Sequence, residues 1–287
     1  MTDLTITNSG IRLAMSVFGS SEHPPVLFLH GIANSRDTWE EIVISLFGTH
    51  QIWTLDFRGH GHSDHAGAYE LAGYVSDANA ALGAIGRRAV VVGHSLGGCV
   101  AGMLAQQPHP LIAGVFLEDP PWFLGEPGQW EMATISKLQP LISTRQIALQ
   151  TANAALSTYL DFISNAPSPL GGIASDHFSP RHLLSQASAL QRQDNKCWGN
   201  VPGEVSGPSA LSVIETGRSF QCPASIVRAD PHLGGVLLEG HERRLASTNP
   251  RSPILHYKGC GHQPHRILAF EERFAADIRA FLTALAY

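Results

Sequence analysis

A chain of 287 residues with 44% hydrophobic and 15% charged residues has ordinary globular composition. Its length suits one large α/β domain carrying an insertion, and nothing in it suggests disorder. The formal charge of −5, from 19 basic and 24 acidic residues without a basic block, leaves nucleic acid no electrostatic footprint. Cys99, Cys197, Cys222 and Cys260 are widely spaced and form no C-x-x-C pair, which argues against a zinc site or a disulfide framework. The first ten residues are polar and no run nears the roughly 18 apolar residues of a membrane span, so a cytoplasmic chain with no membrane partner is expected.

In chain order, residues 4–6 and 11–18 read as two strands around the turn Asn8-Ser9-Gly10, an antiparallel sheet edge. The apolar run 26–29 ends at His30-Gly31, and a helical stretch follows at 37–46. A strand at 51–55 leads into Asp56-Phe57-Arg58-Gly59-His60-Gly61-His62-Ser63 and a helix over about 69–85. Next comes the β-branched run 89–92, then Gly93-His94-Ser95-Leu96-Gly97-Gly98, then a helical segment at 99–107 and another apolar run at 112–117. Short, fully apolar strands alternating with helices signal a parallel sheet covered on both faces.

That rhythm breaks over residues 120–221, where Pro and Ser clusters surround amphipathic pieces at 130–142, 144–162 and 181–191. This segment reads as a helical cap domain inserted between core segments 1–119 and 222–287. Strand-like runs resume at 224–227 and 253–257, followed by an amphipathic helix over 266–285.

Glycines around Ser95 remove the Cβ atoms that would collide where a strand turns sharply into a helix, so the stretch reads as a nucleophile elbow. The plainer alternative is a Gly-rich turn with a solvated serine, and the flanking strand and helix favour the elbow. The order Ser95, an acid, then His262 in Gly259-Cys260-Gly261-His262 matches the triad order of one serine-hydrolase architecture. Together with His30-Gly31 and the stretch Asp56 to Ser63, these motifs make the chain resemble a serine hydrolase of the α/β-hydrolase fold with a cap. The resemblance covers all but the cap. It implies a mostly parallel eight-stranded sheet flanked by helices, Ser95 as nucleophile and His262 as general base. It also implies an oxyanion hole from the backbone N–H groups of Ile32 and Leu96.

The acid is less determined. After the strand at 224–227, where most of this fold carries it, Ala229 and His232 occupy the expected glycine and acid positions, leaving Asp230 about two residues out of place. After the preceding strand stands Glu118-Asp119-Pro120-Pro121. Some lipases and the fungal-type zearalenone lactonases take their acid there, and the resemblance implies Glu118, with Asp230 and then Asp119 as alternatives. His265 is expected to open the last helix and face away, and His30 to brace its loop. Asp56 to Ser63 reads as a structural loop with Arg58 paired to a carboxylate. Trp122, Phe123, Trp130, Tyr159 and Trp198 either line an apolar pocket or form the core of the cap.

The expected function is hydrolysis of an apolar, medium-to-large ester or lactone through an acyl-enzyme on Ser95, without cofactor or metal. Carbon–carbon, amide or carbamate cleavage on the same triad, or a hydrolase-derived small-molecule receptor, are the alternatives. The partner is then a small-molecule ester or lactone; a homodimer stays open.

Overall fold

The computed structural model describes residues 1–129, 139–150, 153–200 and 210–285. Its frame is an eight-stranded sheet in the order β1-β2-β4-β3-β5-β6-β7-β8. β1 (Thr2–Asn8) and β2 (Ile11–Phe18) form an antiparallel edge hairpin. Ser9 and Gly10 both take positive φ, the two-residue turn that matches strand twist. From β4 (Gln51–Leu55) onward, neighbouring strands run parallel: β3 (Pro25–Leu29), β5 (Ala89–His94), β6 (Ile112–Glu118), β7 (Ala224–Ala229) and β8 (Ile254–Tyr257).

β3, β5 and β6 are buried along their whole length because both sheet faces are covered. Alternation sorts their side chains into two cores. Leu27, Leu29, Val91, Val115 and Leu117 meet α2 (Leu71–Ile85) and α3 (Leu96–Ala105) on one face. Val26, Phe28, Val90, Val92 and Phe116 meet α1 (Glu40–Leu46) and the C-terminal helix on the other.

Between β6 and β7 the described chain adds α4 (Gln139–Gln150), α5 (Leu156–Ser164) and α6 (Pro180–Arg192). Ser179 caps α6 by accepting the His182 N–H at 3.1 Å, and Pro180 occupies the first turn, where its missing N–H does no harm. Tyr159, Ile163, Leu183, Ala187, Leu190 and Trp198 form a small separate core that rests on Ile32 and Ala33, the loop after β3.

Several boundaries differ from the sequence reading. The stretch 37–46 divides into a 3-10 turn (Arg36–Trp39) and α1. A helix that the sequence reading did not mark, α7 (His241–Thr248), precedes β8. The last helix, α8, is Glu271–Leu285 and begins five residues later than expected, because residues 263–270 are held as turns by the contacts described below. No helix among the described residues is long and apolar enough to cross a membrane.

Candidate active site

Register brings the chemistry to one edge of the sheet. Leu29 pairs with Gly93, and His94 with Glu118, so the loops leaving β3, β5 and β6 emerge side by side at the carboxyl ends of the strands. Ser95 occupies the single position between β5 and α3, at φ 53° and ψ −112°, a backbone conformation that residues with a Cβ rarely adopt. The strain is held by its neighbours: Ser95 N–H donates to Glu118 O at 2.9 Å, and Cys99 N–H donates to Ser95 O at 2.9 Å. A Cβ on Gly93 would overlap the carbonyl of Gly97, and one on Gly97 would overlap the carbonyl of Leu29. The helix can therefore begin directly over the strand end only because both positions are glycine.

Leu96 is the first residue of α3, so its N–H lacks an acceptor within the helix and belongs to the positive end of the helix dipole. The loop after β3 lies against the elbow: a Cβ on Gly31 would stand 3.1 Å from Ser95 Cβ and 2.7 Å from His94 Nδ1. Ile32 follows directly. His30 fixes this loop, with Nδ1–H donating to Gly31 O at 2.7 Å and Nε2 accepting from Phe57 N–H at 3.1 Å. Burial pushes its imidazole down to about 4, so His30 stays neutral and acts as a brace.

His262 reaches the same place from the loop after β8. Its Nδ1 is 2.7 Å from Asp119 Oδ2, its carbonyl is 3.0 Å from His94 Nε2, and its ring centroid is 4.7 Å from that of His94, the residue before Ser95. Asp119 is fully buried and takes positive φ (40°) just beyond β6. Besides the imidazole, its carboxylate accepts N–H groups from Val236 at 2.9 Å and from Ala229 and Leu237 at 3.3 Å. Three backbone donors and one imidazole compensate the desolvation of that carboxylate.

The expected acid, Glu118, goes elsewhere. It shares a face of β6 with Phe116, which alternation sends toward α1 and α8, and there it meets His265. Glu118 Oε1 accepts both the backbone N–H and the ring Nδ1–H of His265 at 2.9 Å. His265 accordingly does not open the last helix or face away; it is buried, stacked on Trp39 at 4.3 Å, and its Nε2 lies 2.9 Å from Thr38 Oγ1. Asp230 does not reach His262 either. Its two oxygens accept His232 N–H at 3.0 Å and Gly259 N–H at 2.9 Å, tying the loops after β7 and β8 together. The signal that distinguishes Asp119 from Glu118 was present in the sequence as the strand's period of two.

Asp56 and Arg58 are framework residues. Asp56 binds Arg36 and the His62 N–H, and Arg58 pairs with Asp77 at 2.6 Å. Trp122 and Phe123 pack into the main core and Tyr159 and Trp198 into the smaller separate core, all nearly fully buried, so these four are packing residues and not pocket lining. Trp130 lies outside the described residues. The donor set His94, Glu118 and His265 is the group of metal-capable side chains among the described residues, with ligand atoms within 4.8 Å of one another.

Residues 24–189 match the family model of the alpha/beta hydrolase fold. A serine hydrolase-like protein of Danio rerio is 36% identical over 117 residues, 39% of this chain and 36% of that protein. Among the first curated relatives the match spans 36% to 61% of their own length. Two solved structures superpose over nearly the whole chain. A putative aryl esterase from Burkholderia cenocepacia has TM-score 0.68 and 22% identity, covering 99% of both chains. Est816, described as an N-acyl homoserine lactone degrading enzyme, has TM-score 0.69 and 20% identity, covering 97% of this chain and 100% of its own. Identities this low speak for the fold alone, but the family model spans more than half of the sequence, and the strand order, the elbow and the placement of the loops agree with it: the chain belongs to the α/β-hydrolase fold family.

Proposed function

We propose that this protein is a serine hydrolase that opens a carboxylic ester or lactone through an acyl-enzyme on Ser95. The observation that carries the reading is the 2.7 Å contact between His262 Nδ1 and buried Asp119, at the sheet edge where Ser95 is held at φ 53°. With Nδ1–H directed at the carboxylate, Nε2 is the nitrogen that takes the serine proton. Ser95 Oγ attacks the carbonyl carbon while its proton passes to His262, and the N–H groups of Ile32 and Leu96 receive the developing oxyanion, each donor lowering the barrier by about 3–4 kcal/mol. Collapse of the tetrahedral intermediate returns the proton to the departing alkoxide. Water, deprotonated by the same imidazole, then releases the acid and restores Ser95.

Residues 120–221 act as a cap over this edge, since the apolar cap core rests on Ile32 and Ala33 beside the nucleophile. An apolar acyl or alcohol portion suits such a roof, and a putative aryl esterase and an N-acyl homoserine lactone degrading enzyme among the similar folds support that substrate class.

A fluorophosphonate probe and a panel of p-nitrophenyl esters and aliphatic lactones test the reading. Rapid labelling that is lost in Ser95→Ala, with turnover of at least one ester or lactone, is the expected result. Labelling of Ser95 without appreciable turnover would move the protein to the receptor class, and absence of labelling would remove Ser95 as nucleophile.

A further inference from the structure

His94, the middle residue of the Gly93-His94-Ser95 turn, is 1% exposed and is not used by the mechanism above. Its Nε2 stands 3.0 Å from the carbonyl oxygen of His262. A carbonyl only accepts, so Nε2 carries the proton. Burial lowers the His94 pKa well below its ordinary value, which keeps the ring neutral and leaves Nδ1 as a lone pair without a partner. The ring lies between two histidines of the same loop, with centroids 4.7 Å from His262 and 5.0 Å from His265. His262 is thus held at two points: its ring by Asp119 and its main chain by the residue bonded to the nucleophile.

We propose that His94 is a positioning residue for His262, whose Nε2–H clamp on the His262 carbonyl sets the approach of the imidazole to Ser95. Backbone and ring must both be fixed for Nε2 to point at Oγ, because a carboxylate contact alone allows the imidazole to swing about the Nδ1–Oδ2 axis. The clamp couples the geometry of the strained elbow to that of the base, two segments 168 residues apart. A metal ion on His94, Glu118 and His265 is the competing use of the same ring. It fits poorly: His265 Nδ1 and the Glu118 carboxyl are engaged with each other at 2.8 Å, and Nε2 of His265 is engaged with Thr38.

The inference rests on the roles given to Ser95 and His262, and its test separates the two. In the full chain, His94→Leu removes the donor, His94→Gln returns an N–H near the Nε2 position, and His94→Asn places its amide near the Nδ1 position instead. His94→Leu should lower kcat on a p-nitrophenyl ester about 30- to 100-fold with KM within about 2-fold, as expected of a base displaced by a fraction of an ångström, and His94→Gln should recover to within about 5-fold. The downfield proton resonance of the His262–Asp119 hydrogen bond should be sharp in wild type and in His94→Gln and broadened in His94→Leu, whatever the substrate. A folded His94→Leu protein that keeps kcat and the resonance overturns the proposal. If His94→Leu does not fold, Gln and Asn decide: Gln behaving as wild type with Asn impaired supports the clamp, and equal behaviour overturns it. One equivalent of zinc in the purified protein, lost in His94→Leu, also overturns it. A resonance that responds as expected in a protein that hydrolyses nothing leaves the clamp standing and rejects the proposed function.

Discussion

Consecutive residues at the end of β6 make two carboxylate–imidazole pairs that are almost the same in distance and opposite in environment. Asp119 meets His262 at 2.7 Å, and Glu118 meets His265 at 2.8 Å. The His262 side chain is 24% exposed, whereas both members of the inner pair are fully buried. Asp119 collects three backbone N–H groups besides its imidazole; Glu118 has only the His265 backbone and ring, the ring Nδ1 lying against both of its oxygens. Burial therefore pushes Glu118 well above the usual carboxylate range and His265 well below the usual imidazole range, and the inner pair is neutral. Contact distance is the same in both; access to water and the number of donors decide which pair can carry a transferred proton.

The largest expected break of this comparison is in turnover. Asp119→Asn should lower kcat by about 10³- to 10⁴-fold, because an amide cannot hold the Nδ1–H tautomer or stabilise the imidazolium that forms. Asp230→Asn, which affects only the N–H groups of His232 and Gly259, should stay within about 5-fold. Steady-state kinetics on one ester compares them, and a collapse in the Asp230 variant with activity retained in the Asp119 variant would return the acid to the loop after β7.

Next in size is the buried cation beside the inner pair. Arg266 is fully buried; its Nη1 donates to Asn34 Oδ1 at 3.0 Å, Gln263 Oε1 at 2.9 Å and Gln186 Oε1 at 3.2 Å, and its Nη2 donates to the His182 carbonyl. Burial lowers its pKa to about 9, so it remains charged at neutral pH. It joins α6, the loop after β3 and the His262 loop, and its nearest acidic influence is Glu118. Arg266→Met should destabilise the protein by roughly 3 kcal/mol, from several buried acceptors left unpaired. That corresponds to about 5 °C in Tm at this size. An unchanged melting curve would mean that the cation does not tie α6 and the loop after β3 to the His262 loop.

Much of this arrangement was legible before any coordinates. Alternating apolar runs and helices specified the parallel sheet, and the glycines around Ser95 specified the elbow, because both depend on local sterics. His262 was legible because a Gly-rich loop after the last strand can be recognised by its order in the chain. That His262 meets Asp119 and not Glu118 was not legible, since it turns on which face of β6 each residue occupies and on the N–H groups of Ala229, Val236 and Leu237, more than 100 residues away. The start of the last helix failed for the same reason: amphipathic pattern continues through His265 and Arg266, but their bonds to Glu118 and Asn34 hold those residues as turns until Glu271. Local pattern specifies elements, and long-range polar contacts decide where they stop.

The smallest effect is the most specific to the inner pair. Glu118 faces Asp119, His265, His94 and Arg266; burial and the neighbouring Asp119 disfavour a charge on it and outweigh the His265 N–H and Arg266, which favour one. Its folded pKa lies above its unfolded value, so above that unfolded value the native state binds more protons than the unfolded chain, and stability declines as pH rises toward the folded pKa. The stability contributed by this protonation is complete below the unfolded pKa and is lost as pH rises through the folded one. Glu118→Gln replaces a neutral carboxylic acid with a neutral amide of the same shape and removes this dependence. The variant should keep kcat within about 10-fold and melt within about 3 °C of wild type at pH 5, and by pH 8 it should gain relative to wild type. Thermal melts across that range read the sign directly. A Glu118→Gln protein that loses stability relative to wild type as pH rises would mean that Glu118 is an anion in the fold, and the two pairs would then be alike in charge as well as in distance.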